Sequence, residues 1–268
     1  MISLFNISAI ILYLGGSLTV GYLLLKQREI AKPFRLPLYA ATVAALFLHS
    51  HVLYQKMVTA NGLRLDITNM FSLVTALMVA LLLFAVLRRR VENLSIAILP
   101  LAAISMLLQW LVTVPHPQVR QVNMELELHI FLSVVAFSLL SIAALQAVLL
   151  AIQERHLRNH KPNGFITALP PMESMESLLF QIIWIGFIVL TLALFNGLLY
   201  LEDMFAQHLV HKTVLSLFAW LVFATLLWGR WRYGWRGRTA IRWTLIGLIT
   251  LLLAYFGSKL VLELILQR

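Results

Sequence analysis

The sequence contains no cysteine among its 268 residues and few charged side chains. Without cysteine, the chain itself can form no disulfide, thiolate metal site or thiol redox couple, so any redox chemistry requires a bound cofactor. Charged residues make up only 12% of the chain, whereas hydrophobic residues make up 61%. So few charges cannot cover a water-soluble surface around so much apolar mass, and the composition excludes a soluble globule.

Acidic residues are the scarcer charged kind: 11 Asp and Glu stand against 21 Lys and Arg, which gives a formal net charge of +10. The basic residues form short clusters between apolar runs, a pattern typical of membrane topology and not of nucleic-acid binding. No acidic residue falls in the middle of an apolar run, which argues against a carboxylate proton relay. Phosphate-loop, nucleophile-elbow and zinc-protease motifs are absent, and we expect a protein that is not an enzyme.

Eight apolar runs have the length of about 20 residues that a membrane-spanning helix needs. They cover residues 5–25, 36–54, 69–87, 94–112, 128–152, 178–201, 210–228 and 242–264. We therefore predict an all-α, polytopic integral membrane helix bundle that forms a single transmembrane domain over residues 1–268. The connection 153–177 contains histidines, prolines and a glycine, a composition typical of a solvated loop.

The basic residues predict which side of the membrane each loop occupies. If the N-terminus lies outside, the inner loops hold Lys26, Arg28, Lys32, Arg35, Arg88, Arg89, Arg90, Arg155, Arg158, Lys161, Arg230, Arg232, Arg236, Arg238 and Arg242. The outer side then holds only Lys56, Arg64, Arg120, Lys212, Lys259 and Arg268. Because Lys and Arg concentrate in cytoplasmic loops, this asymmetry predicts that both termini lie outside.

Six of the eight histidines fall on the predicted outer side: His49, His51, His116, His129, His208 and His211. Imidazole is the commonest metal ligand, and an ionisable group in or beside a span is a candidate functional residue. His129 opens the fifth run on a face that carries small residues at helical spacing. These are Ser133, Ala136, Ala143 and Ala147, together with Leu140. We predict that this face packs closely on another helix and that His129 points into the bundle.

His49 and His51 lie two residues apart and so point about 200° apart on a helix, which prevents both from serving one metal. His49 lies deeper and is the stronger ligand candidate, with packing or hydrogen bonding as its alternative role. His211 begins the seventh run beside Lys212, whose charge would repel a bare cation and suits a propionate. This combination favours haem over a free divalent metal, with His129 and one of His49 or His211 as axial ligands.

Four neutral polar side chains fall within or near the predicted spans: Gln109, Gln146, Gln181 and Asn196. Side-chain amides in lipid form hydrogen bonds between helices because no water is present to satisfy them. We therefore predict that these four residues bridge neighbouring helices.

The C-terminal half carries an ordered set of motifs. They are Leu128-His129 at the start of a span, Ala219-Trp220-Leu221-Val222-Phe223-Ala224, Gly234-Trp235-Arg236-Gly237-Arg238, and Gly247 with Tyr255-Phe256-Gly257. Residues 125–259 resemble the cytochrome c assembly membrane proteins, the CcsA, CcmC and HemX-like family, and most closely its HemX/YpjD-like branch. The resemblance implies an inner-membrane bundle that binds haem near its outer face and supports haem handling or cytochrome maturation. It also implies that His129 corresponds to the family's outer haem-ligating histidine.

One departure from the family pattern leaves a second function open. Haem-handling members have a Trp-rich outer segment before the seventh span, whereas residues 201–212 here contain no tryptophan. The alternative is a small-cation or polyamine transporter, or the membrane partner subunit of one, that has lost the haem site. A structural or regulatory subunit acting through helix contacts is a third reading. Expected partners are the lipid bilayer and a membrane protein or apocytochrome, without nucleic acid.

Overall fold

A computed structural model describes residues 2–26, 32–89, 91–112, 119–120, 123–159, 169–200 and 210–257. The helices within these ranges are α1 (Ile2–Leu25), α2 (Lys32–Met57), α3 (Ile67–Val86), α4 (Ser95–Leu111), α5 (Met124–Arg158), α6 (Met172–Tyr200), α7 (Val210–Tyr233) and α8 (Gly237–Leu252). A 3₁₀ turn, Glu92–Leu94, precedes α4, and a π-helical segment, Leu253–Gly257, follows α8. In these ranges eight helices are long and apolar enough to cross a membrane, which confirms the predicted all-α bundle. The sidedness of the termini stays a prediction.

Helix α5 is longer than the apolar run 128–152 that predicted it. Its 35 residues extend about 52 Å, whereas the hydrocarbon layer is about 30 Å thick. Asn123 fixes the early start, because its side-chain oxygen accepts the Leu126 backbone N–H at 3.1 Å and two glutamates occupy the first turn. The loop prediction for 153–177 is wrong at both ends, where α5 and α6 continue as helices; residues 160–168 lie outside the described part.

The chain divides into two compact units. The N-terminal unit is built from α1 to α4, in which α1 packs against α2 and α4, and α3 packs against the same two helices. The buried face of α1 carries Ala9, Tyr13, Ser17 and Val20, which follow helical spacing. The C-terminal unit is built from α5 to α8, in which α7 packs against α6 and α8.

A small antiparallel sheet lies at one end of the N-terminal unit. Two of its strands connect α2 to α3, and the third follows α4. Its strands are β1 (Val58–Thr59), β2 (Gly62–Arg64) and β3 (Val119–Arg120), with β2 in the middle. Asp66 then caps α3 by accepting the Asn69 backbone N–H at 2.9 Å. We call this end, which the basic residues predict to face outward, the strand-bearing end.

Candidate functional site

His49 lies on the buried face of α2, and its side chain is 0% exposed. Its Nδ1 lies 3.3 Å from the Tyr13 hydroxyl on α1, and its Nε2 lies 2.7 Å from the Ser72 hydroxyl on α3. A fully buried polar ring needs such partners, because desolvation without hydrogen bonds is costly. His49 can therefore ligate an iron atom only by giving up one of these two bonds.

The hydrogen bonds continue from Ser72 toward the strand-bearing end. Ser72 Oγ donates to Gln109 Oε1 at 3.5 Å, the longest bond of the series and at the upper limit for a hydrogen bond. Gln109 Nε2 donates to Asn69 Oδ1 at 2.8 Å. Asn69 Nδ2 in turn donates to Asp66 Oδ2 at 2.8 Å. This series connects all four helices of the N-terminal unit. We call it the polar chain, consisting of Tyr13, His49, Ser72, Gln109, Asn69 and Asp66.

All hydrogen bonds of the polar chain can be assigned in one direction. The Asp66 carboxylate accepts, so the amide nitrogens of Asn69 and Gln109 donate and their oxygens accept. Ser72 then uses its single hydrogen on Gln109 and accepts from His49 Nε2, while His49 Nδ1 accepts from the Tyr13 hydroxyl. The two amides do not titrate, unlike the groups of a proton relay. We interpret the polar chain as a structural connection between helices.

His51 lies in a different environment from His49. Its side chain is partly exposed, its Nε2 lies 2.9 Å from Gln55 Nε2, and its ring meets Phe5 edge to face with centroids 5.5 Å apart. The opposite directions predicted for the two rings agree with this difference. His51 is therefore a suitable control residue for experiments on His49.

His129 lies near the start of α5 and is partly buried. Its Nδ1 lies 3.1 Å from the backbone oxygen of Ala193 on α6. Because a carbonyl only accepts, Nδ1 carries the proton and Nε2 has the lone pair. The Ser133 hydroxyl lies 3.5 Å from Nε2, at the upper limit for a hydrogen bond. In metal-binding histidines, one ring nitrogen typically donates to a carbonyl or carboxylate while the other binds the metal. His129 has this arrangement, so it fits the role of an iron ligand.

The face of α5 that follows His129 is buried, as predicted. Ala136 is 1% exposed, and Ala143 and Ala147 are 0% exposed. Helix α6 comes so close that a Cβ added to Gly186 would lie 2.8 Å from Leu140 Cδ2. Small residues on this face thus permit the close contact that places His129 against the α6 backbone.

The four neutral polar residues differ in what they do. Gln109 bridges α4 to α3, and Gln146 bridges α5 to α6 by donating to the Met175 carbonyl at 3.1 Å, so both predictions are confirmed. The prediction is wrong for Gln181, which lies on an exposed face of α6 and donates to Ser177 of its own helix at 3.2 Å. Asn196 is buried, and its Oδ1 has no partner within the described residues; its bridging role stays a prediction.

The second predicted ligand region lies at the start of α7. His211 and Lys212 are in the first turn of that helix, and Lys212 is partly exposed. The side chain of His211, together with His116 and His208, lies outside the described residues. The structure therefore shows two of the predicted site histidines in detail, one in each unit.

Of the polar chain, only His49 and Gln109 were predicted from the sequence to have a functional or bridging role. Tyr13, Ser72 and Asn69 are neutral polar residues within apolar runs, and such residues do not by themselves indicate which helix supplies a partner. The signal that could have found these residues was depth along the spans. Four consecutive antiparallel spans each hold a member of the polar chain, and its depth from the strand-bearing end increases in the order Gln109, Ser72, His49 and Tyr13. Polar residues at graded depths in neighbouring spans are able to form such a series.

Comparisons with known proteins identify relatives of this chain. The family model described as cytochrome C assembly protein matches residues 37–266. The inner membrane protein YpjD of Escherichia coli K12 is 34% identical over 227 residues, which cover 84% of this chain and 86% of YpjD. The cytochrome c biogenesis protein CcsA of Synechococcus sp. strain CC9902 is 30% identical over 90 residues, 33% of this chain and 30% of that protein. No solved structure matches the chain.

The matched region starts at residue 37, well before the segment 125–259 on which the sequence resemblance was based. It therefore includes most of the N-terminal unit as well as the C-terminal unit. The relative named for the inner membrane and the eight apolar helices make this a multi-pass inner-membrane protein. Because the family model covers most of the chain and YpjD aligns over most of both proteins, the chain belongs to the cytochrome c assembly protein family.

Proposed function

We propose that this protein binds haem near the predicted outer face and supports cytochrome c maturation, with His129 as an axial ligand of the iron. Membership of the family supports a role in cytochrome c biogenesis. The observation that carries the haem-binding part is the 3.1 Å hydrogen bond from His129 Nδ1 to the Ala193 carbonyl. This bond selects the tautomer whose Nε2 can bind a metal.

The role that we assign to the protein is binding and orientation, without catalysis. When bound, haem supplies the iron and its redox chemistry. His129 would hold the iron through Nε2, and its bond to α6 limits rotation of the ring. Lys212 offers a positive charge for a propionate in the first turn of α7. The hydrogen bonds at His49 favour His211 over His49 as the second axial ligand.

Replacing His129 by alanine is expected to lower haem occupancy at least about tenfold, because even supporting groups around metal ligands change metal affinity by that amount. The full chain would be expressed with added haem precursor, purified in detergent and measured by visible absorption and pyridine haemochrome analysis. We expect a Soret band in the wild type that is lost in His129→Ala and kept in His51→Ala. His51 is the control because it is a partly exposed histidine in another span.

Two results would contradict the proposal. One is a wild-type protein without a Soret band after haem supply, and the other is a His129→Ala spectrum equal to the wild-type spectrum. A haem-free wild type would direct attention to the transporter alternative, for which cellular ion and polyamine contents in a deletion strain are the measurement.

A further inference from the structure

The strand-bearing end of the N-terminal unit contains a pocket of about 200 Å³. Its lining includes Lys56, Arg64, Asp66, Asn69, Gln109 and Trp110. The residues considered for the haem site whose side chains are described, which are His49, His129 and Lys212, do not line this pocket. The pocket therefore requires its own explanation.

Arg64 lines this pocket, and its side chain carries an unpaired buried donor. Its backbone is fixed at the end of β2, where Arg64 pairs with Val119 of β3. The Arg64 carbonyl accepts a hydrogen bond from Asn69 Nδ2 at 3.2 Å. Its Nε is buried and has no hydrogen-bond partner in the part of the chain that the structure describes. A buried donor without an acceptor is costly, particularly on a charged group. The guanidinium thus has one donor, Nε, without an acceptor in the described residues.

Lys56 adds a second positive charge with donors to spare. Its Nζ donates to the Gln109 backbone oxygen at 2.6 Å. An ammonium group has three donors, and this bond uses one of them. The same bond anchors the end of the lysine side chain beside α4. Lys56 is therefore held in place while retaining capacity for another acceptor.

Asp66 is the one acidic residue in the pocket lining, and its oxygens are already in use. They accept hydrogen bonds from the Thr68 hydroxyl at 2.8 Å, the Asn69 backbone at 2.9 Å and Asn69 Nδ2 at 2.8 Å. Within the described residues, neither Lys56 nor Arg64 forms an ion pair with Asp66. The lining therefore carries two positive charges against one negative charge that caps α3.

We propose that this pocket binds an oxyanion, a carboxylate or phosphate group, between Arg64 and Lys56. The guanidinium fork matches the paired oxygens of such a group, and the ammonium adds a charge-assisted bond. Trp110, which is 43% exposed, forms an apolar wall beside the charged groups. The group can belong to a free anion or to a phospholipid headgroup, which present the same chemistry to the pocket.

Thermal unfolding of the full chain in detergent tests this site. Lipid-free protein would be titrated with sodium phosphate and with sodium acetate, and sodium chloride at equal ionic strength would report the general salt effect. We expect phosphate, acetate or both to raise the unfolding temperature saturably above the chloride control, since a ligand that binds the native state stabilises it. No stabilisation beyond chloride by either anion would overturn the proposal.

Charge-removing variants locate the effect. Arg64→Gln and Lys56→Gln should each weaken the apparent anion affinity about 10- to 100-fold, because each removes charge-assisted hydrogen bonds. Arg64→Lys should fall between Arg64→Gln and the wild type, since it keeps the charge without the fork. Arg89→Gln removes an exposed cation beyond the other end of α3 and should bind like the wild type. Equal affinities in Arg64→Gln, Lys56→Gln and the wild type would overturn the assignment.

Phospholipid nanodiscs distinguish the two sources of the oxyanion. If a headgroup phosphate occupies the pocket, added phosphate will stabilise the lipid-free protein but not the protein in nanodiscs. If the natural ligand is a free anion, phosphate will stabilise both preparations. Either result supports the pocket when the Arg64→Gln variant abolishes the response, and a response that persists in this variant contradicts it.

Discussion

Alanine at position 247 is expected to destabilise the C-terminal unit by about 1–3 kcal/mol, the usual cost of inserting extra atoms into a packed core. A Cβ on Gly247 would lie 2.6, 2.7 and 3.0 Å from three ring atoms of Phe223. That ring belongs to α7, is 0% exposed and has little space into which to move. The measurement is the thermal unfolding temperature of the purified protein in detergent, compared between Gly247→Ala and wild type.

Gly15→Ala is the matched control, because a Cβ at this exposed position on α1 meets no atom within 4 Å. It should leave stability unchanged or raise it by up to about 1 kcal/mol, since alanine has the better helix propensity. Adding Phe223→Leu to Gly247→Ala should recover part of the loss by removing the ring. Equal unfolding temperatures for the two glycine variants would contradict the close contact between α7 and α8.

Replacing His49 by alanine is expected to cost about 2–5 kcal/mol, because it opens a cavity and removes hydrogen-bond partners from Tyr13 and Ser72 inside the N-terminal unit. His51→Ala, two residues away and partly exposed, should cost less than about 1 kcal/mol. Denaturant or thermal unfolding of haem-free protein measures both variants.

The haem-free state separates the two roles considered for His49. A member of the polar chain stabilises the protein whether or not haem is present, so His49→Ala should lose stability in both preparations. A His49→Ala protein with wild-type stability when haem-free, but with reduced haem binding, would show instead that His49 is an iron ligand. His129→Ala should instead lose haem binding, and it should change the stability of the haem-free protein less than His49→Ala does.

The membrane-spanning helices were predictable because backbone groups in the hydrocarbon layer find hydrogen-bond partners only within their own helix. Hydropathy located the eight runs but not the full lengths of the helices. It cannot report the charged turns of α5 beyond the hydrocarbon, since those turns are polar and yet remain helical. The sheet at the strand-bearing end also escaped prediction, because strands of two or three residues are too short to show an alternating pattern.

The candidate site was predictable only in part. The spacing on α5 predicted that His129 belongs to a tightly packed face, and helical geometry predicted that His49 and His51 point apart. The partners of His49 were not predictable, since they come from α1 and α3 and depend on which helices become neighbours. Likewise, Lys56 and Arg64 counted in the sequence as separate outer charges, and only the fold brings both to one pocket.

The polar chain ends on a group that only accepts hydrogen bonds, and this has a consequence for proton order. In a ring or chain ended by hydroxyls, every hydrogen can reverse and two degenerate arrangements coexist. Here the carboxylate of Asp66 fixes the first donor, and each later group then has a single way to satisfy its neighbour. The Arg64 carbonyl, which also only accepts, receives a hydrogen bond from the same Asn69 Nδ2 at 3.2 Å and enforces the same orientation. Two acceptors at the strand-bearing end, the Asp66 carboxylate and the Arg64 carbonyl, thus set the tautomer of an imidazole buried several turns away.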